Sequence, residues 1–570
     1  MASAVALALT ACGHAEGDRT TMRLIAGKPQ ATRYVSPGAY RHYLEARLLL
    51  ARGDKKGALE QLRAALLFDE RSPLLFSELA KILFELGRLD EAESAIGKAL
   101  SLRATYPDAL LLVGRLAERR KQPVKALDGY RRCQLAAPRF APCSLRRAAL
   151  LQRRGADKAA RAVLQALTEQ RPRDAKAHER LGLLCLQQLD LRCAATSLRK
   201  ALARRTTLRR LLLLARVHRG LGHLSRATEL LRETFDRSGG HPSASSRLLE
   251  VLYQRGAKQP IDDLFAVLRA QAERKPAQRK TLAQLLLQAR RPAAVLRLWR
   301  SLPKRAQTPS LRLARAIALS QLKRAEARAA LTALLITPQG PAAALELARR
   351  SRQKGEPAKA AARLEIALKH HRKNAGLLSA LSEALFEAGA KARALKVLER
   401  ALASRPDDPQ LRFAYAAALE RAGRWRDAIA QAKRLLKESP RMAVAHNFIG
   451  YTLADRGREL RRAERALHTA LGLEPGRAYI IDSLGWLSYR RGDLAEALRR
   501  LEIAARLAPR EAEIAAHLGE VNAALERLPE AIKRYKQAIA LGDDRHKTAR
   551  WRRRLKQLAA GRVGTRRTRR

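Results

Sequence analysis

Ala478–Glu511 reads AYIIDSLGWLSYRRGDLAEALRRLEIAARLAPRE, and the spacing of its small and ring-closed residues decides the fold. Ala497 is its centre, with Gly485 twelve residues before, Gly492 five before, Leu501 four after and Pro509 twelve after. The same small residue recurs every 34 positions at Ala58, Ala92, Ala126, Ala160 and Ala194, and again at Ala360, Ala394 and Ala428. Ala463 follows after 35 residues, then Ala497 and Ala531. A small side chain is required where two helices cross at close range. Twelve positions earlier stand Ala46, Ala80, Gly114, Ala148, Gly182, Gly485 and Gly519. Gly53, Gly87, Gly155, Gly389, Gly423 and Gly492 fall at the predicted turn, where a positive φ ends a helix at little cost. Pro138, Pro172, Pro406, Pro440, Pro475 and Pro509 stop the second helix. Leu62, Tyr130, Leu164, Leu398 and Leu501 continue the buried stripe at helical spacing.

From about residue 39 to 545 this pattern resembles the tetratricopeptide (TPR) repeat family. Units begin near residues 39, 73, 107, 141, 175, 208, 341, 375, 409, 443, 478 and 512. Between 242 and 340 the pattern weakens, and three shortened units fill the gap. The resemblance implies an all-α solenoid, a right-handed superhelix of about 15 helix-turn-helix units. The chain divides into an N-terminal segment and linker (1–38), N-terminal repeats (39–241), degenerate helical units (242–340), further repeats (341–442) and C-terminal repeats (443–545). Residues 546–570 are expected to form a capping helix around Trp551, Leu555 and Leu558, followed by a basic tail of Arg566, Arg567, Arg569 and Arg570.

The formal charge is +60, and only 4% of residues are aromatic. Such a surface invites a nucleic-acid reading through counterion release. Arg far outnumbers Lys, however, as coding bias in a GC-rich genome would produce. A one-base-per-repeat code also needs regular polar and stacking readers on successive first helices. None is found, which argues against nucleic acid as the partner. No apolar run reaches the ~18 residues of a membrane-spanning helix.

The opening MASAVALALTACGHAEG resembles a bacterial lipobox ending at Cys12, which implies a cleaved signal and a lipid anchor on that cysteine. Gly13 resembles the residue that follows the cysteine in lipoproteins sorted to the outer membrane. A cytoplasmic chain starting at Met22 is the alternative. Cys133 and Cys143 lie at neighbouring ends of consecutive units, and Cys185 and Cys193 flank one turn. An oxidising compartment would permit two local disulfides. The favoured expectation is that all four are small buried hydrophobes in Ala-like positions.

The chain has no P-loop, no GxSxG, no HExxH and no GxGxxG after a strand, and repeats occupy the room a catalytic domain would need. No enzyme activity, cofactor or metal site is expected. His370-His371 sits near a helix end and reads as a solvated last turn. Function therefore falls to the concave face, which in TPR proteins is lined by the first helix of each unit. The last three units place Asn447, Tyr451 and Asp455, then Tyr479, Asp482, Trp486 and Tyr489, then Glu513, His517 and Glu520 there. Aromatics beside polar groups suit a peptide-holding groove. Trp486 is the most telling, because a Trp on that face is expected to gain nothing from the repeat's own packing. Packing between adjacent first helices is the alternative reading. Residues 443–545 hold 17 Lys and Arg against 15 Asp and Glu, so they are nearly neutral within a strongly basic chain.

The runs His446–Arg456, Asp482–Trp486 and His517–Glu520 are similar to the C-terminal repeats of bacterial TPR lipoproteins that bind and activate carboxyl-terminal processing proteases. That resemblance covers about residues 443–531. It implies a periplasm-facing, lipid-anchored scaffold that gathers a protease and its substrates. Two alternatives remain: a TPR component of surface polysaccharide assembly, contacting an anionic polymer or lipid surface through Arg side chains, and a cytoplasmic nucleic-acid binder.

Overall fold

The computed structural model describes residues 20–25, 28–33, 36–542 and 544–560. Cys12 and Arg566, Arg567, Arg569 and Arg570 lie outside these residues. Among the described residues there are 31 α-helices, of which the first thirty form fifteen antiparallel pairs and Arg545–Ala559 closes the series. One short 3-10 turn, Lys304–Ala306, and a two-stranded antiparallel hairpin, Thr20–Ile25 with Lys28–Arg33, complete the elements. The hairpin runs from Thr20 opposite Arg33 to Ile25 opposite Lys28, within a segment read from sequence as signal and linker. The Thr and Ile residues of its first strand are β-branched and favour a strand, but neither strand alternates polar and apolar residues, so no periodicity marks the hairpin.

The repeat forms as the spacing dictates. All eleven ladder alanines are 0% exposed. At Gly485, an added Cβ would lie 2.7 Å from Leu501 Cγ, so the first helix touches the second backbone to side chain. The six turn glycines have φ between +76° and +85°. One period on from Gly87, Gly155 and Gly492 stand Lys121, Leu189 and Glu526, which adopt φ of +59°, +56° and +61° without being glycine. The pairing of helices thus overrides a local cost of about 1–2 kcal/mol. Helix starts are capped by Asp54, Ser72, Asp190, Asn374, Asp408 and Asp493, whose side chains accept from backbone N–H groups of the first turn. Residues 242–340 contain three pairs, Pro242–Arg255/Lys258–Arg274, Gln278–Gln288/Pro292–Arg300 and Pro309–Gln321/Ala327–Thr332. The last two pairs have shortened second helices.

The chain forms two compact bodies, Met1–Arg180 and Leu181–Arg570. In the first, Tyr130 fills the space left by Gly114, is 0% exposed, and donates its hydroxyl to Glu118 at 2.6 Å. Cys133 and Cys143 are fully buried there and joined as a disulfide. In the second body Cys185 is joined to Cys193 across the turn at Leu189. The favoured expectation of four free buried thiols is corrected. Antiparallel pairing brings each couple's Cα atoms to 6.0 and 5.8 Å, the usual spacing of a bridged pair.

Within the second body the stack returns on itself. Helix Leu208–Leu221 packs against helix Leu494–Leu507, and Gly220 lies against Leu191 and Ile503. Among the described residues, these side chains cross the seam to main-chain oxygens. Arg216 reaches Pro475 O at 2.7 Å, Arg219 reaches Leu507 O at 2.7 Å, and Arg506 reaches Gly220 O at 2.6 Å. Gln187 reaches Gly472 O, Gln254 reaches Arg506 O and Arg499 reaches Leu189 O. The partners are 252 to 310 residues apart, about seven to nine repeat periods. Most acceptors lie at helix C-terminal ends, where carbonyls lack intrahelical partners and the helix dipole favours a cation.

Candidate functional site

Three first helices, Ala443–Asp455, Ala478–Arg490 and Ala512–Ala524, lie side by side, and Arg545–Ala559 follows them. Successive first helices differ by about one repeat, so side chains 31 to 35 residues apart meet across the gap. Trp486 donates Nε1–H to Asp455 at 3.1 Å, and its ring stacks on His517 at 4.3 Å and on Tyr489 at 4.8 Å. His517 Nδ1 lies 2.9 Å from Asp482 Oδ1. Tyr489 hydroxyl contacts Glu520 at 3.4 Å, and Glu520 also receives Tyr535 and both arms of Arg554. Glu513 pairs with Lys547.

The groove candidates other than Asn447 are therefore brought together, but not as a free wall. Trp486 and Asp482 are each only 7% exposed. The expectation that Trp486 gains nothing from packing is corrected: it bridges three consecutive first helices. The residues left open are Tyr479, 37% exposed, and Glu513. Asn447 is half-buried, and its Oδ1 has no hydrogen-bond partner. An acceptor left so is costly unless something donates to it.

Electrostatics bind this cluster. Burial works against the His517 cation, yet the charge and hydrogen bond of Asp482, with Glu513 and Asp455 adding to them, hold its pKa above the ordinary value. Burial, reinforced by Glu513, Asp455 and Asp482, pushes the Tyr451 hydroxyl well above its usual range. Burial and Glu520 raise Tyr489 likewise.

The seam adds residues that sequence reasoning missed. A cavity of about 330 Å³ opens between the first helices of the two layers. Arg216, Arg219 and Arg247 line one side, and Tyr479, Asp482 and Glu513 line the other. No local signal marks those arginines, because the juxtaposition is made by residues more than 200 positions apart. Among the described residues no group of three His, Cys, Asp or Glu side chains could hold a metal, and no helix is long and apolar enough to cross a membrane.

Models of the tetratricopeptide repeat match residues 43–100, 77–139, 351–412, 385–450 and 483–546. The TPR repeat-containing protein PA4667 of Pseudomonas aeruginosa is 33% identical over 132 residues, 22% of this chain and 22% of that protein. The chain thus matches about a fifth of that relative's length. Among solved structures, the APC/C hetero-tetramer Cut9-Hcn1 aligns over 81% of this chain and 92% of the other at 15% identity and a TM-score of 0.33. Yeast Tom70 aligns over 92% and 96% at 14% identity and a TM-score of 0.32. PilW, a type IV pilus biogenesis factor, aligns over 38% of this chain and 99% of its own at 20% identity and a TM-score of 0.31. With the ladder alanines buried, the turn glycines left-handed and the repeat models matching three stretches, residues 43–139, 351–450 and 483–546 are tetratricopeptide repeats within an all-helical stack of helix pairs.

Proposed function

We propose that this repeat stack is a non-enzymatic scaffold that works in the cell envelope, is anchored by a lipid on Cys12, and gathers partner proteins, a periplasmic protease and its substrates among them, on the first-helix face of residues 443–545. The observation that carries the reading is the ordered cluster around Trp486, beside which Tyr479 and Glu513 stand exposed. A rigid aromatic cluster with an exposed tyrosine and carboxylate at its edge can hold an extended partner at low entropic cost. Two disulfides support an oxidising compartment, since thiols stay reduced in the cytosol. The similarity of residues 443–531 to protease-activating lipoproteins supports the class of partner.

Two measurements test it. Mass spectrometry of the mature protein from fractionated cells should find a lipidated Cys12 in membranes; an intact Met1 or Met22 in the cytosol refutes the anchor. Pull-downs should lose partners with Tyr479→Ala and Glu513→Gln, neither of which contacts the Trp486 ring. Identical recovery by wild type and both variants removes the face from the reading.

A further inference from the structure

The seam cavity is lined by four arginines and four carboxylates, but the arginines are not all paired. Arg219 is paired with Glu250 at 3.0 Å and Arg477 with Glu474 at 2.7 Å. Arg216 has only the Pro475 carbonyl, and Arg247 has no hydrogen bond or carboxylate partner among the described residues. The Arg219 Nε is buried and unpartnered. Arg216 and Arg247 belong to one layer of the seam and Arg477 to the other, so like charges face each other across it. Burial first, and then Arg477, Arg247 and Arg219, push the Arg216 guanidinium down to about 10 against the single opposing influence of Glu474. An anion placed among these groups would be desolvated by them and would receive charge-assisted hydrogen bonds from both layers.

The far side of the cavity carries Glu511, Glu513 and the half-exposed Tyr479. A free polyanion would be repelled by those carboxylates. A polypeptide offers one carboxylate to the arginines while its backbone N–H groups and tyrosine-facing atoms meet the other wall. The volume of about 330 Å³ suits one acidic side chain with its flanking backbone.

We infer that the cavity between helices Leu208–Leu221 and Ala478–Arg490 is a binding site for an Asp or Glu side chain of an extended partner polypeptide, held by Arg216 and Arg247. The inference rests on the reading of this protein as a protein-binding scaffold. Its occupant relieves the repulsion among Arg216, Arg247 and Arg477 and so stabilises a seam that side-chain hydrogen bonds already hold together.

The test uses the full-length chain and calorimetric titration with acetyl-Ala-Gly-Glu-Gly-Ala-amide and its Gln counterpart. Arg247→Gln is the key variant, since Arg247 makes no bond the fold would lose. Arg400→Gln, exposed on another helix, controls for the chain's overall +60 charge. The Glu peptide should bind about tenfold or more tightly than the Gln peptide. Arg247→Gln should abolish that preference and Arg400→Gln should keep it. Hydrogen exchange at residues 211–222 and 472–479 should slow only with the Glu peptide. Equal affinity for the two peptides, or equal weakening by Arg247→Gln and Arg400→Gln, overturns the site. Inorganic phosphate binding as tightly as the Glu peptide overturns the polypeptide assignment. A silent titration alongside partner capture that still depends on Tyr479 removes this cavity and leaves the scaffold face standing.

Discussion

Replacing Trp486 by Ala separates packing from binding at the C-terminal face. If Trp486 stood on an open groove wall, its loss would spare the fold. The ring is instead 7% exposed, so of the ~250 Å² a Trp side chain presents, about 230 Å² is buried. At ~25 cal/mol per Å² this is an upper bound of about 6 kcal/mol, and Ala retains part of it. Core Trp→Ala changes cost about 3–5 kcal/mol, and the lost Nε1 donor to Asp455 adds about 1 kcal/mol. A loss near 4 kcal/mol corresponds to roughly thousandfold faster opening. Hydrogen exchange of the full chain should show that acceleration in residues 443–524. It should weaken with distance along the stack, because repeat stability is a nearest-neighbour sum. Trp486→Phe keeps most of the ring and should cost only about 1–2 kcal/mol. Acceleration below tenfold for Trp486→Ala would refute the packing account.

Stability of the same region should depend on pH through His517. Its folded pKa is raised above 6.5, so its contribution is fully present below that value and is lost as pH rises through the folded pKa. The urea midpoint should fall between pH 6 and pH 8.5, and His517→Gln should flatten the slope. The disulfides close loops with separations of 10 and 8 residues, worth about 2.5 kcal/mol each; non-reducing peptide mapping should find both pairs, and dithiothreitol should lower the melting temperature. Gly485→Ala puts a Cβ 2.7 Å from Leu501 Cγ, and denaturant unfolding should show a loss of about 1–3 kcal/mol. Arg506→Ala strips the Gly220 carbonyl of its donor, and amides near the seam should exchange faster while those of residues 341–442 do not change.

The repeat is legible from local sequence alone. Its signals are local: Ala497, Gly485, Gly492 and Pro509 act within one 34-residue period, and the fold repeats that period. A position that must be small, left-handed or unable to continue a helix is legible because the residue types that meet those demands are few. The grouping of Tyr451, Asp482, Trp486 and His517 was legible too, since they are related by the same period. What they do with one another was not. Whether Trp486 faces a ligand or its neighbours depends on the spacing of adjacent first helices, and tertiary packing sets that spacing. Tertiary structure also decided the oxidation of the four cysteines, through Cα distances that helix pairing fixes. The seam is the clearest case. Arg216, Arg219, Arg499 and Arg506 read as four among many surface arginines, yet they meet carbonyls 259 to 310 residues away. Each repeat contributes a small rotation, and only their sum over a full turn brings those ends together. No pairwise pattern in the chain encodes that sum.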